Sequence, residues 1–290
     1  LGGQTVKAAL PALFLQVLLA LLQVFGGLLF LLRPPSFFKV LLELLQPVLV
    51  LLALFQVAVQ TILNRFLAGL SHEAEDLEHL TTPMTIVEPT MGVWPADAPD
   101  DVEEVVLRIE HGRATAVNGD DMAPLDLVRA ANRVAGRNGV GIRNALENRI
   151  IGTKSRGVYE APGMELLGAA TAYVYQAVLD RRAGRLFADL SRLVSDQIYD
   201  GRYFDPATRA AQAAITELTA DAHGTVTLGL HKGNIYFIAL TDCPASLYNE
   251  ADASMEASDG LNPVSSQGFL EVQSVEARSL ARAGQIKTTR

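Results

Sequence analysis

Cysteine is almost missing from this sequence: Cys243 is the single one in 290 residues. That excludes a disulfide framework and any multi-cysteine zinc site, and it makes a reducing compartment, the cytoplasm, the expected location. Clustered basic charge is lacking as well. Beyond residue 66 the chain carries 20 Lys and Arg against 31 Asp and Glu, scattered in sign, for a net charge of −11. Nucleic-acid backbones are bound by clustered cations, so a DNA- or RNA-binding role is excluded. The five histidines (His72, His79, His111, His223 and His231) are too dispersed for metal-ligand spacing and read as surface or turn residues. Neither a Gly-x-Ser-x-Gly turn nor a Gly-x-x-x-x-Gly-Lys-Ser/Thr phosphate loop occurs.

Long apolar runs, by contrast, fill the first 66 residues, which hold only Lys7, Arg33, Lys39, Arg65 and Glu43 as charges, a net +3. Ala8 to Leu32 is uncharged, and Val40 to Leu63 is broken only by Glu43. Each run exceeds the ~20 apolar residues that span a bilayer as a helix. Arg33-Pro34-Pro35-Ser36-Phe37-Phe38-Lys39 would form the turn of a two-helix membrane hairpin, with Gly26-Gly27 and Pro47 weakening the spans. Its orientation stays open, because Arg33 and Lys39 in the turn balance Lys7 and Arg65 at the ends. Low complexity, recurrent Leu-Leu and Gln, and the lack of interfacial aromatic belts support a second alternative, an out-of-frame translation joined to a genuine coding segment.

Past Gly69 the pattern is that of an α+β domain. Strands are expected at Thr85-Val87 and Val102-Ile109, a turn at Asn118-Gly119, and a helix from Asp126 to Ala135 stopped by Gly136. Residues 163–199 repeat apolar positions at three and four, and Asp205-Pro206 opens a helix through about Thr219. Thr225-Leu230 and Asn234-Leu240 flank His231-Lys232-Gly233 as a β-hairpin, and an amphipathic helix runs from about Gly268 to Ala283. Gly136-Arg137-Asn138-Gly139-Val140-Gly141 follows a helix, so it reads as a turn needing positive φ rather than a dinucleotide loop.

The segment from Glu147 to Gly163 stands out. Glu147, Glu160, Arg149, Lys154, Arg156, Ser155 and Tyr159 crowd into a glycine-punctuated stretch that fits neither an amphipathic helix nor a half-buried strand. This density suits a small zwitterion, whose ammonium seeks a carboxylate and whose carboxylate seeks Arg, Ser or Tyr. The plainer alternative is an ion-pair network that holds a strand to a helix.

Read with Ser71-His72-Glu73-Ala74-Glu75-Asp76-Leu77-Glu78, Thr82-Pro83-Met84, Val87-Glu88-Pro89-Thr90-Met91-Gly92-Val93-Trp94, the 136–141 glycines and Gly201-Arg202-Tyr203-Phe204-Asp205, this stretch resembles the argininosuccinate synthase family over about residues 69–287. The resemblance implies the family's carboxy-terminal synthetase and multimerisation part, with an α+β fold and homotetrameric assembly. It implies an arginine-pathway ligase that adenylates citrulline with ATP, Mg accompanying the nucleotide, before aspartate displaces AMP. It further implies that Ser71, Glu73, Glu147 and Tyr159 line the citrulline site. The family's Ser-Gly-Gly-x-Asp pyrophosphate loop is not present, since Gly2-Gly3 and Gly26-Gly27 lack the flanking Ser and Asp. The expectation is therefore a fragment inactive alone, whose aspartate and ATP sites need a nucleotide-binding domain. The competing expectation is a non-catalytic oligomerisation or citrulline-binding module, membrane-tethered if residues 8–63 form the hairpin.

Overall fold

The computed structural model describes residues 68–73, 75–253 and 262–286, all within one unit, Arg65–Arg290. The hydrophobic hairpin expected over residues 8–63 lies outside the described residues. Among the described residues, no helix is long and apolar enough to cross a membrane.

The α+β expectation holds. In chain order the strands are β1 (Leu70–His72), β2 (Glu103–Glu110), β3 (Arg113–Val117) and β4 (Asp120–Asp121), followed by helix α1 (Pro124–Arg137). Then come β5 (Ile142–Asn148), β6 (Lys154–Glu160), α2 (Pro162–Val178), α3 (Arg181–Tyr199) and α4 (Pro206–Leu218). The chain continues through the hairpin β7 (Gly224–His231) and β8 (Asn234–Thr241) to α5 (Pro263–Arg282). These strands form two antiparallel sheets, one of order β4-β3-β2-β7-β8 and one of order β1-β6-β5.

The core follows from alternation. In β2, Val105, Leu107 and Ile109 point to one face, and in β7 their neighbours Val226, Leu228 and Leu230 join them, all fully buried. Leu127, Ala130, Ala131 and Val134 of α1 and Leu166, Ala170 and Val174 of α2 cover that face at helical spacing. The two layers meet at backbone distance where α1 runs into β5. A Cβ on Gly136 would stand 2.2 Å from the Met91 carbonyl oxygen, and one on Gly141 would stand 2.4 Å from Pro162 Cα. Gly139 and Gly141 take φ of 72° and 88°, as the turn reading requires.

Several expectations shift. Thr85-Val87 is not a strand: Met84–Ile86 forms a single 3-10 turn between Pro83 and Pro89, residues that oppose ladder pairing. The 163–199 pattern is two helices, because the Asp180 carboxylate accepts from the N–H of Arg182 and Ala183 and starts α3 afresh. Gly136 does not stop α1, which runs on to Arg137. Asp205 precedes α4 without capping it, since its carboxylate accepts from Arg202 Nε at 2.8 Å. Helix α5 begins at Pro263 and is exposed along nearly its whole length.

His72 is not a surface histidine, because it joins a buried cluster around Glu160. The Glu160 side chain is 1% exposed. It accepts from the N–H of Thr90 at 2.8 Å and of Met91 at 2.7 Å, and His72 Nε2 donates to it at 2.6 Å. One carboxylate thus ties β1, β6 and the 88–94 loop together, and its lone pairs are answered by donors, as burial demands. Glu160→Gln would set an amide N–H₂ against these donors, so a loss of about 1–3 kcal/mol in unfolding free energy is expected by urea denaturation.

Candidate functional site

β6 is the middle strand of the three-stranded sheet, so both of its neighbours present side chains beside its own. Ser71 of β1 pairs with Tyr159, and Arg143 and Glu147 of β5 pair with Tyr159 and Ser155. Alternation then places Ser71, Tyr159, Gly157, Ser155 and Glu147 on one face of the sheet. Glu73 follows one residue beyond β1, and its carboxylate accepts from Arg149 Nη2 at 3.1 Å. The four residues singled out from the sequence, Ser71, Glu73, Glu147 and Tyr159, are therefore neighbours. The opposite face carries Val158 and Glu160 into the interior, while Arg156 Nη1 donates to the main-chain oxygens of Leu77 at 3.1 Å and His79 at 2.7 Å. One face is sealed by residues 75–94 and the other is open.

On the open face the two carboxylates differ. Glu73 has a cation partner in Arg149. Glu147 accepts from two neutral hydroxyls, Ser155 Oγ at 3.2 Å and the Tyr159 phenol. Beside the β5–β6 hairpin end lies a cleft of ≈ 790 Å³ whose lining takes in Glu73, Arg149 and Ser155 together with Glu78, Leu80, Leu146, Lys154 and Arg156 from the other side of the sheet. The hairpin itself is held by the Tyr199 hydroxyl, which donates to the Asn148 carbonyl at 3.1 Å.

Two polar residues of the Glu147–Gly163 stretch have internal duties: Glu160 and Arg156 hold the sealed face. The strand-to-helix ion pair of the plainer alternative does exist, but it uses Arg143 and Glu165, with Nε donating at 2.9 Å. Sequence reasoning missed Ser155 as a partner of Glu147. The signal was available in the two-residue spacing of Ser155, Gly157 and Tyr159, which a strand reading turns into a shared face.

Comparison with known proteins bears on the same residues. The chain matches the Arginosuccinate synthase C-terminal domain over residues 63–280. The chain belongs to the argininosuccinate synthase family. It is 40% identical over 214 residues to the argininosuccinate synthase of Rhodopirellula baltica, covering 73% of this chain and 53% of that protein. With the argininosuccinate synthase of Shewanella halifaxensis it shares 35% over 214 residues, 72% of this chain and 50% of the relative. For Idiomarina loihiensis the figures are 35% over 223 residues, 75% and 54%. The chain spans about half the length of the curated relatives it matches.

The 136–141 glycine turn offers no cradle for a phosphate. Gly139 abuts Pro95, with a Cβ position 2.8 Å from its Cα, and Gly141 abuts Pro162. Main-chain neighbours fill these positions, and the Gly139 N–H already donates to the Gly136 carbonyl at 3.1 Å, so this turn is not a triphosphate cradle. The Cys243 thiol is pushed up by burial, which disfavours the thiolate a nucleophile needs.

Tyr159 carries the largest electrostatic signature of the family segment. Burial, the hydrogen bond to Glu147 and the nearby charges of Glu147 and Glu73 push its phenol up to about 12. The folded state therefore keeps this proton longer than the unfolded chain does. The associated stability is complete below pH ~10 and is lost as pH rises through about 12. Ultraviolet difference titration against Tyr159→Phe is expected to show this late phenol, and Glu147→Gln is expected to move it down toward the ordinary tyrosine range.

Proposed function

We infer that this chain serves the ATP-dependent joining of citrulline and aspartate into argininosuccinate, with release of AMP and pyrophosphate, and that it contributes the citrulline-holding part of the site. The observation that carries this reading is the convergence of Ser71, Glu73, Glu147 and Tyr159 on one open sheet face, in a chain of the argininosuccinate synthase family.

The chemistry assigns ends to the ligand. Glu147 is hydrogen-bonded to hydroxyls that carry no charge, so its anionic charge is available to the α-ammonium of an amino acid. Ser155 and Tyr159 hold that carboxylate in place by donating to it. Glu73, already paired with Arg149, offers its other lone pairs to N–H donors, and Arg149 offers donors to a carboxylate. Ser71, exposed opposite Tyr159, can donate or accept at either end. Aspartate and ATP, with its Mg, would be held by a nucleotide-binding domain of the kind the family resemblance implies. Arginine biosynthesis in the cytoplasm is the corresponding setting.

Assembly into a homo-oligomer is part of the same proposal. Phe269, Leu270, Val272 and Val275 are 52–69% exposed along α5, a helix suited to cover a second copy. A non-catalytic citrulline-binding or oligomerisation module is the second reading, favoured by the lack of a Ser-Gly-Gly-x-Asp loop in the sequence.

Calorimetry tests the division of labour. The chain alone is expected to bind citrulline and to show no saturable ATP binding; ATP binding at physiological concentration contradicts the division of labour proposed here. In a complete relative, the glutamine variant at the position matching Glu147 is expected to weaken citrulline binding by about 1.5–3 kcal/mol without lowering the melting temperature. Unchanged affinity with a strongly lowered melting temperature would instead make Glu147 a structural residue.

A further inference from the structure

Gly157 is buried in the middle of β6, between Ser155 and Tyr159 on the open face. Glycine in a strand interior weakens the strand, and it often marks a place where another group approaches the backbone closely. Backbone conformation does not call for it, because Gly157 lies outside the left-handed region. What calls for it is the neighbouring ring. A Cβ on Gly157 would stand 2.9 Å from Tyr159 Cε2, 3.1 Å from Cζ and 3.1 Å from the hydroxyl oxygen. The Tyr159 ring therefore folds back along its own strand over residue 157. That direction brings the hydroxyl toward Ser155 and to Glu147, the residue paired with Ser155.

We propose that Gly157 is a positioning residue of this site: its bare backbone seats the Tyr159 ring, and the seat fixes the hydroxyl on Glu147. With a methyl group at residue 157 the ring must lift off the strand, and the hydroxyl leaves the carboxylate. Glu147 would then keep only Ser155 as a hydroxyl partner. The face offered to a ligand would also change shape, because the lifted ring stands over the space between Ser71 and Glu147. The fold seats a second tyrosine on a glycine, Tyr236 on Gly229 across the β7–β8 pair, where a Cβ would stand 2.3 Å from the ring. That pair lies in the other sheet and supplies a control with a tighter ring contact and no link to Glu147.

The inference rests on the citrulline reading only for the identity of the ligand. The test uses the full chain with Gly157→Ala, Gly229→Ala, Tyr159→Phe and the double variant Gly157→Ala/Tyr159→Leu. Gly157→Ala is expected to shift the late phenol, read against Tyr159→Phe, from about 12 toward the ordinary range, while Gly229→Ala leaves it in place. A late phenol unmoved by Gly157→Ala overturns the proposal. Should Gly157→Ala fail to fold, thermal denaturation of the double variant decides. Recovery of the fold once the ring is removed supports the seat, and an equally unfolded double variant overturns it. Calorimetry with citrulline is expected to show about tenfold weaker binding for Gly157→Ala and no change for Gly229→Ala, the size of one lost hydrogen bond. A shifted phenol with citrulline affinity equal in every variant upholds the seat and removes citrulline as the ligand.

Discussion

The buried Glu160 carboxylate is the constraint on which the arrangement of the site depends. A charge that is 1% exposed is tolerable only when its lone pairs are met, and here they are met by three donors from two pieces of chain: His72 on β1 and the adjacent N–H groups of Thr90 and Met91. Met91 and Gly92 in turn lie against Gly136 of α1, where Val93 donates to the Gly136 carbonyl at 3.1 Å. The three-stranded sheet is thereby tied to the helix that covers the five-stranded one. Remove the carboxylate, and β1 loses its side-chain link to the rest of the sheet. Ser71 and Glu73 would then no longer be held beside Tyr159 and Glu147.

Sealing one face of the small sheet frees the other. Val158, Glu160 and Arg156 satisfy the packing and polar demands of the interior. The alternate residues Ser155, Gly157 and Tyr159 are left to present hydroxyls and a ring to solvent. The period of two along a single strand thus separates packing residues from the proposed ligand face within seven residues. On the sealed side Glu160 and Arg156 bond mostly to main-chain groups, and these contacts hold the strand that carries the open face.

Much of this was legible in the sequence. The β7–β8 hairpin followed from alternation on both sides of His231-Lys232-Gly233, and the α+β texture followed from apolar spacing. The clustering of Ser71, Glu73, Glu147 and Tyr159 came from resemblance rather than from pattern, since residues 76 positions apart carry no local sign of contact. What sequence did not reveal has physical reasons. Glu160 and Glu147 look alike in a string, yet strand alternation sends one inward and one outward. His72 read as a surface residue because its partner lies 88 residues away. The 163–199 helical pattern divides at Asp180, whose carboxylate accepts from backbone N–H groups and opens α3, a local choice that apolar periodicity does not register.

The central claim is that the open face of the β1-β6-β5 sheet receives an amino acid through Glu147. Amide chemical shifts of the isotope-labelled chain, followed during a citrulline titration, test it most directly. The account predicts saturable shifts concentrated at residues 71–73, 147–149 and 155–159, with the five-stranded sheet unmoved. Saturable shifts centred elsewhere, or none at these residues at millimolar citrulline, would contradict it.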